Sequence, residues 1–325
     1  MEYQSTGRLI KGVGGLYFVS VDQREDDPLS GRLVPCRARG KFRHAGTSPL
    51  VGDRVEITYN ARTLAALDTA DDGASEIMIS KILDRKNALI RPPLANLDVL
   101  FIAMASASPA PLLPTVDKLV LIAEFNEIEP IIVIGKQELD PDNAERIAEI
   151  YRKAGFEVFL LSALTGDGVD AVRDYIKEHL AGKIAAFAGA SGVGKSSLMN
   201  RLFPHIHMET GEISQKIERG KNTTRHVELF TLPCEGGEGY LADTPGFSML
   251  DFVHFDFFSK DDLPYTLREF RDYIGCCRYK KCTHTKEDGC AIREAVANGD
   301  IAPSRYQSFL EIYDVLKDKK EWQQK

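Results

Sequence analysis

One stretch of eight residues constrains the fold of this 325-residue chain more than any other. Residues 189–196 read Gly-Ala-Ser-Gly-Val-Gly-Lys-Ser and match the pattern G-x-x-x-x-G-K-S in full. They follow an apolar run typical of a buried β-strand and precede a segment with helical spacing, which is the context of a phosphate-binding P-loop. The glycines let backbone N–H groups converge on phosphates, and the start of the following helix adds a favourable dipole.

Each polar side chain of this motif has an expected role in phosphate binding. Lys195 can reach the outer phosphates of a nucleotide, and the Ser196 hydroxyl can bind Mg²⁺. The predicted phosphate-binding residues are Gly189, Ala190, Ser191, Gly192, Val193, Gly194, Lys195, Ser196 and Ser197.

The hydrophobic pattern changes twice along the chain. Residues 1–92 alternate short apolar stretches with Gly, Pro and Asp turns, which predicts a small all-β barrel. Residues 93–251 alternate buried-type strands with helices, which predicts a mostly parallel sheet covered by helices on both faces. Residues 252–325 read as short helices around a cysteine cluster. We therefore expect three domains with these bounds.

Three further motifs lie at predicted strand ends. Asp243-Thr244-Pro245-Gly246 matches D-x-x-G, so Asp243 is expected to hold Mg²⁺ through water and the Gly246 N–H to bind a γ-phosphate. Lys136 and Glu138 follow the strand 130–134 in the place of a guanine-reading N/T-K-x-D motif, where a carboxylate accepts two hydrogen bonds that adenine cannot offer. Ser162-Ala163 follows the next strand and resembles the S-A-x loop that contacts the guanine O6 atom.

The order of these motifs differs from that of ordinary GTPases. Lys136 and Ser162 come before the P-loop, whereas they come after it in most GTPases. The same sheet forms if the chain is circularly permuted, because old termini at the surface can be joined. Between the P-loop and Asp243, Thr224 or Thr223 is expected to complete Mg²⁺ coordination as a switch threonine, unless this stretch is a solvated loop.

Four of the six cysteines crowd into residues 276–290. Cys277, Cys282, His284 and Cys290 supply three thiolates and one imidazole, which is a complete tetrahedral set for one structural Zn²⁺ ion. Cys276 can replace Cys277 by a shift of one residue, and unpaired surface cysteines are the alternative interpretation.

The net charge of −7 argues against a general nucleic-acid binder, but the charge is uneven. The acidic excess lies in residues 96–251, whereas residues 1–95 carry a small basic excess. The basic stretch from Arg32 to His44 fits either a contact with RNA phosphates or a solvated strand face. No apolar run approaches the length of a membrane span and no signal peptide is evident, so we expect a cytoplasmic protein that does not bind membranes.

A small barrel, a permuted GTPase and a Cys-Cys-His-Cys module in this order resemble the bacterial small ribosomal subunit biogenesis GTPases over essentially the whole chain. The resemblance implies an OB-fold at the N-terminus and hydrolysis of GTP to GDP with Mg²⁺. It also implies stimulation by the 30S subunit, contact with 16S rRNA and a role in late 30S maturation. We expect a monomer.

Two departures from the family pattern concern function. Asn222 stands where the family has a histidine that is a candidate for placing the attacking water, and asparagine can orient water but cannot act as a general base. Gly135 and Glu138 replace the usual residues of the base motif, so guanine selectivity is expected to be weaker. The alternatives are a nucleotide-gated RNA-binding module and a P-loop ATPase of another purpose.

Overall fold

The computed structural model describes residues 2–40, 42, 47–68, 77–89, 92–204, 227–243 and 259–317. Contacts divide the chain into two compact units. Unit 1 comprises residues 1–98, 178–186 and 221–246, and unit 2 comprises residues 99–177, 187–220 and 247–325.

Five strands of unit 1 close into an OB-like barrel. They are β1 (Glu2–Val13), β2 (Leu16–Val21), β3 (Leu33–Ala38), β4 (Arg54–Asn60) and β5 (Met78–Ile82), with helix α1 (Ala61–Asp68) after β4. Strand β1 pairs antiparallel with both β2 and β4, β4 pairs with β5, and a parallel β3–β5 pair closes the ring. The predicted all-β barrel is confirmed.

The interior of the barrel follows from the alternation of side chains along each strand. Leu9, Val19, Ile57 and Ile79 are fully buried. Gly7 lies where β1 passes from one partner strand to the other, and a Cβ atom there would lie 2.4 Å from the carbonyl oxygen of Ser20. A side chain at this position would therefore force the strands apart.

The remaining strands of unit 1 form two further groups. The short strands β6 (Ala88–Leu89) and β7 (Leu94–Ala95) pair with each other. Strands β12 (Glu228–Cys234) and β13 (Gly237–Asp243) form an antiparallel hairpin, and β13 also pairs in parallel with β11 (Ile184–Ala188).

Unit 2 contains a parallel sheet with helical connections. Its strands are β8 (Val99–Ala105), β9 (Glu129–Gly135) and β10 (Glu157–Leu160), in the order β10-β9-β8. Its helices are α2 (Leu113–Phe125), α3 (Pro141–Lys153), α4 (Val169–His179) and α5 (Lys195–Leu202). Every residue of β8 is buried, as expected for a strand covered on both faces. These elements confirm the predicted α/β pattern.

The C-terminal region of unit 2 is mainly helical. It contains the 3₁₀ turns Leu263–Thr266 and Arg268–Phe270, helix α6 (Ala291–Ala297) and helix α7 (Pro303–Lys317). In the parts of the chain that the structure describes, no helix is long and apolar enough to cross a membrane.

A buried arginine attaches helix α7 to helix α2. The Arg305 guanidinium is 1% exposed and donates to Asp117 of α2 at 2.6 Å and to Glu269 at 2.7 Å. Asp117 also accepts hydrogen bonds from Tyr151 and Ser308. Burial alone would lower the pKa of Arg305, but the charges of Asp117 and Glu269 outweigh burial and raise it.

A second arginine supports the same attachment. Arg268 donates to Glu124 at 2.5 Å and to Glu129 at 2.8 Å, and its guanidinium lies 4.7 Å from the centre of the Phe156 ring. The C-terminal region is therefore fixed to α2 and to the start of β9 by charged hydrogen bonds as well as by apolar packing.

We predict that Arg305→Met weakens the packing of α7 on α2 by roughly 3–5 kcal/mol, because it leaves two buried carboxylates without their cation. Hydrogen exchange of the α2 and α7 amides should speed up accordingly. Arg152→Met is the matched control, since Arg152 forms an exposed pair with Glu145, which is worth about 0–1 kcal/mol. Equal effects of the two substitutions would contradict the role given to Arg305.

Candidate nucleotide-binding and metal sites

The P-loop connects strand β11 to helix α5. Three glycines have positive φ angles, which are 140° at Gly189, 77° at Gly192 and 103° at Gly194. A Cβ atom at Gly189 would lie 2.1 Å from the carbonyl oxygen of Ala103, so the chain can turn here only without a side chain. The loop therefore turns tightly into the start of α5, where free backbone N–H groups can bind an anion.

Lys195 is the first residue of α5 and its side chain folds back over the loop. The ammonium group donates to the carbonyl oxygens of Gly189 at 2.7 Å and Ala190 at 2.8 Å. Burial lowers the pKa of Lys195 to about 8. Ser196 is half-buried and Ser197 is exposed on the first turn of the helix.

Lys136 links the predicted base motif to the P-loop. It lies directly after β9 with a left-handed backbone, and its ammonium group donates to Gly192 at 2.8 Å and to Ser108 at 2.5 Å. The buried Ser106 hydroxyl donates to the Lys136 carbonyl at 2.7 Å, which fixes the backbone of the motif. Glu138 is exposed on the short 3₁₀ turn Gln137–Leu139.

The loop Ser162–Gly168 follows β10 and is closed by its own hydrogen bonds. Ser162 is fully buried, its N–H donates to Asp167 and its hydroxyl accepts from the Thr165 N–H. The Gln137 N–H donates to Leu161, so this loop and the base motif are joined. Ala163 is half-buried, whereas the next two residues, Leu164 and Thr165, are exposed.

These separate motifs meet around one small cavity. A space of about 20 Å³ is lined by Lys136, Ala163, Val193 and Lys195, among others. The structure thus brings together the P-loop, the base motif and the S-A loop, which are distant in sequence.

The remaining predicted nucleotide contacts lie outside the described residues. Asn222, Thr223, Thr224 and Gly246 fall there. Asp243 is the last residue of β13, and its side chain is likewise outside the description.

The cysteine cluster has the geometry of a metal site. The ligand atoms of Cys277, Cys282, His284 and Cys290 all lie within 4.8 Å of one another. The sulfurs of Cys277 and Cys290 are 3.9 Å apart, close to the about 3.8 Å expected for a tetrahedron with Zn–S bonds of about 2.3 Å. Cys276 is exposed and its thiol points to the Asp272 carbonyl, so Cys277 is the member of the cluster.

Two residues hold the loop of this cluster. The Glu287 carboxylate accepts hydrogen bonds from the N–H and hydroxyl of Thr283 and from the Thr285 N–H. Burial alone would raise the pKa of Glu287, but the hydrogen bonds from Thr283 and from the backbone N–H groups of Lys286 and Glu287 lower it to about 2. The Tyr306 hydroxyl of α7 donates to the carbonyl of His284 at 2.9 Å, which holds His284 in its left-handed conformation.

The basic stretch of the barrel is only partly described. Arg32 and Arg37 are exposed, whereas Arg39 donates to Thr58 and lies 3.7 Å from Glu2. Lys41, Arg43 and His44 lie outside the described residues.

Comparison with known proteins identifies the family. A family model described as RsgA GTPase matches residues 82–253, and one described as RsgA N-terminal domain matches residues 6–67. Relatives from Geobacillus thermodenitrificans and Bacillus pumilus, both named small ribosomal subunit biogenesis GTPase RsgA, are each 39% identical to this chain, and each match covers 97% of this chain and 98% of the relative. This chain belongs to the RsgA GTPase family.

Two solved structures have the same architecture. A crystal structure of YjeQ from Thermotoga maritima has a TM-score of 0.76 and 30% identity, and the match covers 98% of this chain and all of that one. YloQ, described as a circularly permuted GTPase, has a TM-score of 0.72 and 33% identity over 98% of this chain and 96% of its own. The motif order of this RsgA family member is therefore that of a permuted GTPase, as predicted.

We predict that GDP binding to this RsgA family member takes up a proton at alkaline pH. In the free protein Lys195 is largely neutral at about pH 9, because burial lowers its pKa to about 8. Phosphate oxygens favour the ammonium form, so the bound state holds more protons and GDP affinity should fall as pH rises above about 8. Calorimetry in buffers of different ionisation enthalpy measures the uptake directly.

The control for this titration is Lys195→Arg. Arginine stays charged throughout the range, so its GDP binding should show no proton uptake. Uptake of equal size in Lys195→Arg, or none in the unmodified protein, would contradict the assignment to Lys195.

Proposed function

We propose that this chain hydrolyses GTP at the described P-loop and that the 30S ribosomal subunit stimulates the reaction during late maturation of that subunit. The observation that carries the proposal is the junction of Lys136 with the P-loop, since it puts a base-reading motif and a phosphate-binding loop into one site. The names of the relatives support the ribosomal partner.

The proposed roles divide between the two ends of the nucleotide. Backbone N–H groups of residues 189–194 and the ammonium of Lys195 bind phosphates, and Ser196 and Thr224 (or Thr223) bind Mg²⁺. Asp243 holds the same ion through water, and the Gly246 N–H binds the γ-phosphate. When bound, Mg²⁺ would neutralise the negative charge that develops on the phosphates.

At the other end, Glu138 accepts from guanine and the Lys136 stem lies over the base. The Ala163 N–H donates to O6, and Ser162 shapes the loop. Asn222 orients the attacking water without removing its proton.

The metal cluster is proposed to hold one structural zinc ion. Three thiolates and one imidazole suit zinc, and four protein ligands leave no position for a reacting water. The fit of the Cys277–Cys290 distance to a Zn–S tetrahedron supports this choice.

The barrel is proposed to contact 16S rRNA through its exposed basic residues, of which Arg37 is one. Because its partner is a ribosomal subunit, we place the protein in the cytoplasm, and we propose that it acts as a monomer.

We predict that Lys195→Ala and Ser196→Ala each abolish GTP hydrolysis without unfolding the protein. The first removes charge compensation on the phosphates and the second removes a Mg²⁺ ligand. Turnover of GTP and ATP should be measured with and without 30S subunits. Arg152→Ala, which changes an exposed arginine of α3 outside the proposed site, is the control and should retain most of the activity.

The outcomes separate the alternatives. Unmodified turnover in Lys195→Ala would refute the proposed site. Equal use of ATP would favour a P-loop ATPase, and nucleotide-dependent 30S binding without stimulated turnover would favour a nucleotide-gated RNA-binding module.

We predict one zinc ion per chain, which Cys290→Ser should lose and Cys276→Ser should keep. Metal analysis of protein purified without chelator measures the content. Chelation should speed hydrogen exchange in residues 259–317, where metal binding contributes to folding, and should leave the P-loop amides unchanged. Loss of zinc from Cys276→Ser, or no zinc in the unmodified protein, would contradict the ligand set.

A further inference from the structure

An arginine at the end of the P-loop helix touches the loop that is proposed to read the base. Arg201 lies in the last turn of α5, and its Nη2 donates to the carbonyl oxygen of Thr165 at 3.1 Å. Thr165 follows Ser162-Ala163-Leu164 directly. The contact therefore joins the phosphate-binding helix to the Ser162–Gly168 loop.

The Nη2 end of the guanidinium also lies close to Gly166. A Cβ atom on Gly166 would lie 2.5 Å from Nη2, 3.3 Å from Cζ and 3.5 Å from Nε of Arg201. The loop thus has a glycine at the place where the end of the guanidinium needs room. A lysine side chain is shorter and its ammonium is a compact point charge, so it does not reproduce this contact.

The backbone of Arg201 is held by a second arginine. Arg173 of α4 donates to the carbonyl oxygen of Arg201 at 3.3 Å, so the end of α5 is held to the helix that follows the loop. Helix α5 carries Lys195 and Ser196 in its first turn and Arg201 six residues later, which is about 9 Å along the helix. One short helix therefore touches both ends of the proposed nucleotide site.

We propose that Arg201 is a positioning residue for base recognition. It fixes the S-A loop relative to the P-loop helix, so that the Ala163 N–H meets the guanine O6 atom when the phosphates are bound. The inference rests on the proposed function and deepens it.

A competing explanation is that Arg201 only complements the helix dipole, as a cation in a last turn does. The two explanations differ for Arg201→Lys. Lysine keeps the charge but lacks the longer, forked guanidinium that reaches Thr165 and Gly166, so a positioning role predicts a defect and a dipole role predicts none.

The experiment compares GDP with the diphosphate of 2-aminopurine riboside, which keeps the exocyclic amine but lacks both O6 and the N1–H. Full-length protein and its Arg201→Ala and Arg201→Lys variants are titrated with both. We expect both variants to bind GDP about 5- to 10-fold more weakly, the size of one lost hydrogen bond, and to bind the analogue within about 2-fold of the unmodified protein. The preference for GDP over the analogue should fall accordingly.

Kinetics provide a second measurement. The variants should show a raised KM for GTP and an unchanged kcat with 30S subunits, because the contact acts on binding at the base and not on the γ-phosphate. Arg152→Ala, an exposed arginine on α3, is the matched control and should leave the preference and both constants unchanged.

Three results would overturn the inference. An unchanged GDP preference in Arg201→Ala refutes it while leaving the proposed function intact. An unaffected Arg201→Lys assigns the residue to the helix dipole. Failure of the unmodified protein to bind GDP refutes the proposed function and this inference together.

Discussion

The buried ion cluster around Arg305 organises unit 2. A guanidinium that is 1% exposed is stable only if its charge is matched, and Asp117 and Glu269 match it from α2 and from the turn Arg268–Phe270. Because such a group tolerates few alternative positions, α7 can dock on α2 in one way. Ser106 and Ser108, which lie shortly before the start of α2, contact Lys136 of the base motif. Helix α2 is therefore connected at its start to the base motif, and it is also the helix on which the C-terminal region docks.

The nucleotide site depends on a different constraint, the close approach of backbone to backbone. Gly189 passes so close to the Ala103 carbonyl that no side chain fits. Gly168 is as close to the Leu160 carbonyl, because a Cβ atom on Gly168 would lie 2.0 Å from that oxygen. Both glycines lie at the carboxyl ends of strands, where ligands bind in open α/β sheets. The hydrogen bonds of Lys136 and Arg201 then connect the loops that these glycines allow to form.

The elements with strong local patterns could be predicted from sequence. The continuous apolar run at residues 97–104 predicts a strand, and the structure has Val99–Ala105 there. Helical spacing from Pro114 to Asn126, with the proline in the first turn, predicts a helix, and the structure has Leu113–Phe125 there. The four residues of the cysteine cluster could also be predicted, because their close spacing places them on one loop. The sequence favours Cys277 with Cys276 as the alternative, and the side-chain directions in the structure support Cys277.

Contacts across long sequence separations could not be predicted. Arg305 and Asp117 are 188 residues apart, and nothing in a single helical pattern identifies the partner of a buried charge. Glu287 and Tyr306 hold the loop of the cysteine cluster by hydrogen bonds to backbone groups, which the spacing of residues does not predict. The contact of Lys136 with the Gly192 carbonyl, 56 residues away, is another that the base motif alone does not predict.

The circular permutation gives these long-range contacts their arrangement. The C-terminal region follows residue 246 in the chain, yet its last described helix packs on α2, the first helix of the permuted α/β segment. Successive side chains of a helix point about 100° apart, so Arg305 can face α2 while Tyr306 faces the loop of the cysteine cluster. The same turn of α7 therefore contacts both the loop of the cysteine cluster and helix α2. A shift of this turn would change both contacts together.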